Sequence, residues 1–160
     1  MLYIGISAVL FAAIMLSREY ARYMKKRLDE CEGFLAFIGY MRIQVGCFMR
    51  PLRELSENFS SEALAKSGFT DALRVEKNIY DAYKVSEPAL SLSAEEKEVL
   101  EVLFSSVGEC YLEEGVRLIE ASHTKMEGLY SELKAERPRS TKLVSVLSAT
   151  LAVGFLILVI

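Results

Sequence analysis

The chain opens and closes on uninterrupted apolar runs. Met1 to Ser17 (MLYIGISAVLFAAIMLS) and Leu143 to Ile160 (LVSVLSATLAVGFLILVI) contain no Asp, Glu, Lys or Arg. All 19 basic and all 22 acidic side chains therefore lie between Arg18 and Lys142. A helix needs roughly 20 apolar residues to cross a hydrocarbon core, with about 17 as the lower limit. Both runs reach that limit, and 1–17 and 143–160 are expected to be transmembrane helices. A cleaved signal peptide is not expected, because the basic residues follow the first run instead of preceding it.

Between the runs, residues 18–142 show the helical period and no strand-like alternation. From Leu28, apolar residues recur at Cys31, Phe34, Leu35, Ile38, Met41, Val45 and Phe48. These steps of three and four mark one face of a long helix over about 20–48, continuous with the first run. Gly33, Gly39 and Gly46 weaken it or allow another helix to approach closely. Pro51 suits the first turn of a new helix, with Leu52, Leu55 and Phe59 on its apolar face. SSEALAKSG (60–68) reads as a short helix stopped by Gly68.

Thr70 is the expected N-cap of a single helix through DALRVEKNIYDAYKV, striped by Leu73, Glu76, Ile79 or Tyr80, and Tyr83. Pro88 and nearby serines break the chain. Ser93 and Glu96 then have the spacing of a capping box, ahead of a helix that aligns Val99, Leu103 and Val107, with Leu100 and Phe104 beside them. The last long helix is predicted over 109–136. Its seam, Leu112, Val116, Ile119, His123, Met126, Leu129 or Tyr130 and Leu133, has coiled-coil-like spacing. Pro138 restricts the residue before it and predicts a break within ERPRS. The two long helices must return to the same end, so they are expected as antiparallel neighbours, with the short helices capping the far end. The expected fold class is all-α: a cytosolic helical bundle, 18–142, between two terminal transmembrane helices.

Charge adds an orientation. Arg18, Arg22, Lys25, Lys26 and Arg27 follow the first run, and Lys134, Arg137, Arg139 and Lys142 precede the second. The positive-inside rule puts the middle of the chain in the cytoplasm and both termini on the opposite side. Tyr20 and Tyr23 fall at headgroup level, and Lys25, Lys26 and Arg27 suit anionic lipids. A net charge of −3 gives no argument for nucleic acid.

Candidate chemistry is sparse. Cys31, Cys47 and Cys110 read as reduced thiols, not a disulfide framework. His123, the one histidine, reads as a half-buried packing residue, without the neighbours a zinc site needs. There is no phosphate-binding glycine loop. Glu95-Glu96 and Glu113-Glu114 read as solvated helix faces rather than acid–base pairs. No catalytic residue, cofactor site or metal site is expected, and the chain does not read as an enzyme. Interaction remains. The candidate partner-binding residues are Pro51, Arg53 and Glu54, within MRPLREL (49–55), together with Glu113 and Glu114.

Three stretches taken in order, FIGYMRIQVGCFMRPLREL, SAEEKEVLEVLFSSVG and KLVSVLSATLAVGFLILVI, resemble the stage III sporulation protein AB family of endospore-forming bacteria. The likeness covers nearly the whole chain. The family's acidic, polar run after the helix glycine is replaced here by ECYLEEG. The resemblance implies similarity to the inner-membrane platform proteins of type II secretion and type IV pilus machines. It implies a place in the channel between mother cell and forespore, in the mother-cell membrane. The implied partners are a secretion-type ATPase and other membrane channel components. Topology alone would also fit a two-span sensor or regulator whose bundle binds a cytosolic signalling protein.

Overall fold

A computed structural model describes residues 2–48, 59–107 and 112–159, with side chains described at 11–45, 59–107, 113–150, 153 and 154. Within them all regular structure is helical: α1 (Leu2–Phe48), α2 (Glu62–Lys66), α3 (Phe69–Val75), α4 (Ile79–Ser86), a 3-10 turn (Glu87–Ala89), α5 (Ala94–Ser106) and α6 (Leu112–Val159). The all-α expectation holds. The chain divides into two compact units, one of residues 26–131 and one of residues 1–25 with 132–160.

The larger unit is built on the predicted stripe of α1. Leu28, Cys31, Phe34, Ile38, Met41 and Val45 are buried, and so is Phe37, which the stripe omitted. Aromatic rings fill the centre. Phe34 meets Phe69 edge-on with centroids 5.0 Å apart, Phe37 meets Phe59 at 4.9 Å, and Tyr83 lies 5.5 Å from Phe104. Such edge-on and tilted pairs add to plain area burial. From α5, Val99, Leu100, Leu103 and Phe104 complete the core, and Ile119 and Met126 enter from α6.

Two glycines of α1 permit two different approaches. A Cβ on Gly33 would lie 2.9 Å from Leu64 Cγ and 3.0 Å from Ser61 Oγ, so α2 can pack there only against glycine. A Cβ on Gly39 would meet His123 Nε2 at an ordinary 3.6 Å. His123 is indeed half-buried, and its Nδ1 lies 3.9 Å from Glu127.

The stretch expected as one helix from Thr70 is two. Gly68, at φ +81°, ends α2 and caps α3, and Thr70 is buried as the second residue of that helix. Only glycine adopts that left-handed backbone cheaply. A second cap then competes with helix propagation: Asn78 leaves the helical conformation, and its side chain accepts the Asp81 amide at 2.7 Å. The break lets both apolar faces turn inward, Phe69, Ala72 and Leu73 on α3, Ile79, Ala82 and Tyr83 on α4. Ser93 and Glu96 form the predicted capping box of α5.

In the smaller unit α6 runs through Pro138, where a break was expected. Proline inside a helix forfeits one ladder bond and costs about 3 kcal/mol. Continuity keeps Leu133, Arg137, Thr141, Val144 and Ser148 along one buried or half-buried face, and a break would scatter that face. On α1 the matching face is Ala13, Ser17, Tyr20, Ala21 and Met24. The opposite surfaces carry Phe11, Ile14, Met15, Leu16, Leu143, Val146, Leu147 and Val153, each between 45 and 66% exposed. Among the described residues no helix is long and apolar enough to cross a membrane. The charge-free runs 1–17 and 143–160 extend beyond those residues at both ends.

Candidate functional site

The main concentration of polar chemistry within the larger unit lies where one and a half turns of α1 meet the segment leading into α5. Helical spacing sets Lys26, Arg27, Glu30 and Cys31 toward that segment. Arg27 grips Glu96 with charge-assisted bonds: Nη2 donates to Oε1 at 2.7 Å, and Nε donates to Oε2 at 3.0 Å and to Oε1 at 3.2 Å. Glu96 Oε2 also accepts the Ser93 amide at 2.6 Å, which closes the capping box. Glu30 Oε2 accepts the Ser91 amide at 2.6 Å, and Lys26 donates to the Ala89 carbonyl at 3.0 Å. The strap from Ala89 to Glu96 is thus fastened to α1 at three points, through Ala89, Ser91 and Glu96.

Both carboxylates are only 1% exposed, so their protonation depends on their partners. Burial works to raise Glu96, but the Arg27 bonds, the Ser93 amide and the Arg27 charge outweigh it and hold the carboxyl below its ordinary value. Burial wins at Glu30. The Ser91 amide and the Lys26 charge oppose it without cancelling it, so Glu30 stays above the ordinary carboxylate value. Geometry gives the reason: Oε1 of Glu30 has no hydrogen-bond partner among the described residues, and Lys26 Nζ stands 3.6 Å away. Cys31 sits between the two, fully buried. Burial first, then the Glu96 charge and hydrogen bond, push its thiol far up. A thiol so placed stays protonated and is a poor nucleophile. The arrangement positions a strap.

The expectation of a solvated Glu95-Glu96 face is thereby corrected. Glu95 is exposed, but Glu96 is buried as the anchor of the clamp. Its capping-box position was legible in the sequence. Its partner Arg27, 69 residues away, was not. The Lys25, Lys26 and Arg27 cluster also divides: Lys25 remains exposed, while the other two bind within the chain.

Of the candidate partner-binding residues, Glu113 and Glu114 are exposed in the first turn of α6, where negative charge suits the helix dipole. Pro51, Arg53 and Glu54 lie outside the described residues, as do the rest of MRPLREL and Cys110, and the side chain of Cys47 is not described.

A profile of the stage III sporulation protein AB family matches residues 3–160. The chain belongs to that family. Membership gives it a role connected with sporulation. No curated protein and no solved structure is significantly similar to it. The part matched to stage III sporulation protein AB takes in the clamp, the aromatic core and nearly all of both apolar runs. It also takes in a second polar cluster, on the outer side of α4 and α5. There Lys84 reaches Glu101 at 2.7 Å and Glu87 at 3.2 Å, and it stands 5.7 Å from the centre of the Tyr80 ring. The Glu101 and Glu87 hydrogen bonds hold the Lys84 ammonium above its ordinary value.

Proposed function

We propose that this chain is a non-enzymatic assembly component of the channel between mother cell and forespore, anchored in the mother-cell membrane by two spans, 1–17 and 143–160. Its helical unit lies in the cytoplasm as a platform for a secretion-type ATPase. Both termini cross to the opposite side, and the spans meet other channel components in the membrane. The sporulation part rests on family membership over residues 3–160. The observation that favours a membrane anchor is the surface of the terminal segments: large apolar side chains face outward there from both helices, with no charge among them. Contiguous exposed apolar surface of that kind calls for a lipid or protein cover.

Tagged full-length chain purified from sporulating cells in mild detergent should carry the ATPase with it, and residues 26–131 alone should retain the purified ATPase. If neither captures it, the platform reading falls, whatever the membrane assay shows.

A further inference from the structure

Not every cation near the apolar runs is available to a partner. Lys26 and Arg27 are engaged by the clamp, Arg22 pairs with Glu19, and Arg137 is half-buried. Four others stand apart. Arg18, Lys25, Arg139 and Lys142 are exposed, and none makes a hydrogen bond or ion pair among the described residues. Arg18 adjoins the first charge-free run and Lys142 adjoins the second. On the run side of Arg18 the exposed large apolar side chains among the described residues are Phe11, Ile14, Met15 and Leu16. Beyond Lys142 the exposed large apolar side chains among the described residues are Leu143, Val146, Leu147 and Val153.

Apolar surface thus gives way abruptly to positive charge that makes no ion pair among the described residues, on both helices of one compact unit. At ~1.5 Å per residue, Lys25 lies about 10 Å along α1 from Arg18, and Arg139 about 5 Å along α6 from Lys142. Long basic side chains can bridge such distances by snorkelling. Tyr20 and Tyr23 fall within the same stretch, at the level aromatic belts occupy.

We infer that Arg18, Lys25, Arg139 and Lys142 form a collar that binds the phosphates of anionic phospholipids at the cytoplasmic face. The inference rests on the membrane reading above and adds its lipid class and residues. The partner is a lipid surface because charge complementarity and acyl-compatible surface adjoin here. A soluble anion would use the charges but not the eight apolar side chains beside them. Each cation near an anionic surface contributes roughly fivefold at low salt, and salt screens the effect.

The test uses the full chain reconstituted in phosphatidylcholine vesicles containing phosphatidylglycerol. Spin-labelled lipids report how strongly each headgroup associates with the protein. The wild type should prefer phosphatidylglycerol several-fold at low salt and lose the preference at high salt. The quadruple variant Arg18→Gln, Lys25→Gln, Arg139→Gln, Lys142→Gln should associate with both lipids equally while remaining in the vesicles. Arg22→Gln, whose charge Glu19 already matches, should keep the wild-type preference, as should the charge-conserving pair Arg18→Lys, Arg139→Lys. Equal association by the wild type overturns the collar. So does an unchanged preference in the quadruple variant, or a loss in Arg22→Gln as large as in the quadruple variant. Release of the wild type from vesicles by alkaline carbonate would instead defeat the membrane reading itself.

Discussion

Arg27 and Glu96 lie 69 residues apart, yet they act as one unit. Removing Arg27 leaves the buried Glu96 carboxylate with the Ser93 amide but no counter-charge, and losing one partner of a buried pair costs about 3–5 kcal/mol. Arg27→Ala is therefore expected to destabilise the larger unit by about that much in urea unfolding. The double change Arg27→Met with Glu96→Gln should cost far less than Arg27→Ala, because Gln still serves the capping box and no lone charge remains.

Glu30 responds in the opposite sense to pH. Its carboxyl is raised by burial above its ordinary value, so the folded state binds the proton more tightly than the unfolded chain does. The stabilisation this gives is fully present below the unfolded value of 4.5 and is lost as pH rises through the higher folded value. Glu30→Gln mimics the protonated form. It should match or exceed the wild type in stability at neutral pH, and the wild type's decline between acid and neutral pH should be shallower in the variant. Unfolding midpoints across that range decide it. Glu96, held low, behaves in reverse: its contribution is present above 4.5 and is lost as pH falls through its folded value.

At the scale of elements, packing sorts glycines that propensity treats alike. Ala in place of Gly inside a helix gains up to about 1 kcal/mol, while overpacking a core costs about 1–3 kcal/mol. At Gly33 the added methyl would press on Leu64, which is itself fully buried and cannot give way freely. Gly33→Ala should therefore destabilise by about 1–2 kcal/mol. Gly39→Ala, with only an ordinary contact to His123, should be neutral or stabilising. Thermal unfolding of the two variants side by side reads the difference. The division of the predicted Thr70 helix follows a related logic. Gly68 and Asn78 satisfy backbone groups locally, and the apolar faces on either side of the break bury better as two short helices than as one.

At the scale of the whole molecule, the proposed orientation needs a reporter that solvent can reach. Cys31 would be silent on either side of a membrane, because it is fully buried and its thiol is held protonated. Ser105 on α5 is exposed, and its only described bond is to the Val102 carbonyl within its own helix. Ser105→Cys should resist an impermeant maleimide in intact cells and react after lysis. Ready labelling in intact cells would reverse the topology.

Local rules made much of this protein legible before folding. The helical period located the core face of α1, the Ser93 capping box and the apolar line of α5, because these depend on neighbours three or four residues apart. The two charge-free runs and their basic borders are equally plain in one dimension. Long-range geometry decided the rest. That Glu96 is an anchor and Glu95 a surface residue, that Gly33 is tightly confined and Gly39 is not, and that Pro138 sits inside a continuous helix all depend on which distant segment lies alongside. Sequence periodicity assigns a residue to a face. Only the packed chain decides whether that face meets water, a methyl group or an opposite charge, and burial without water is what makes each of those meetings count.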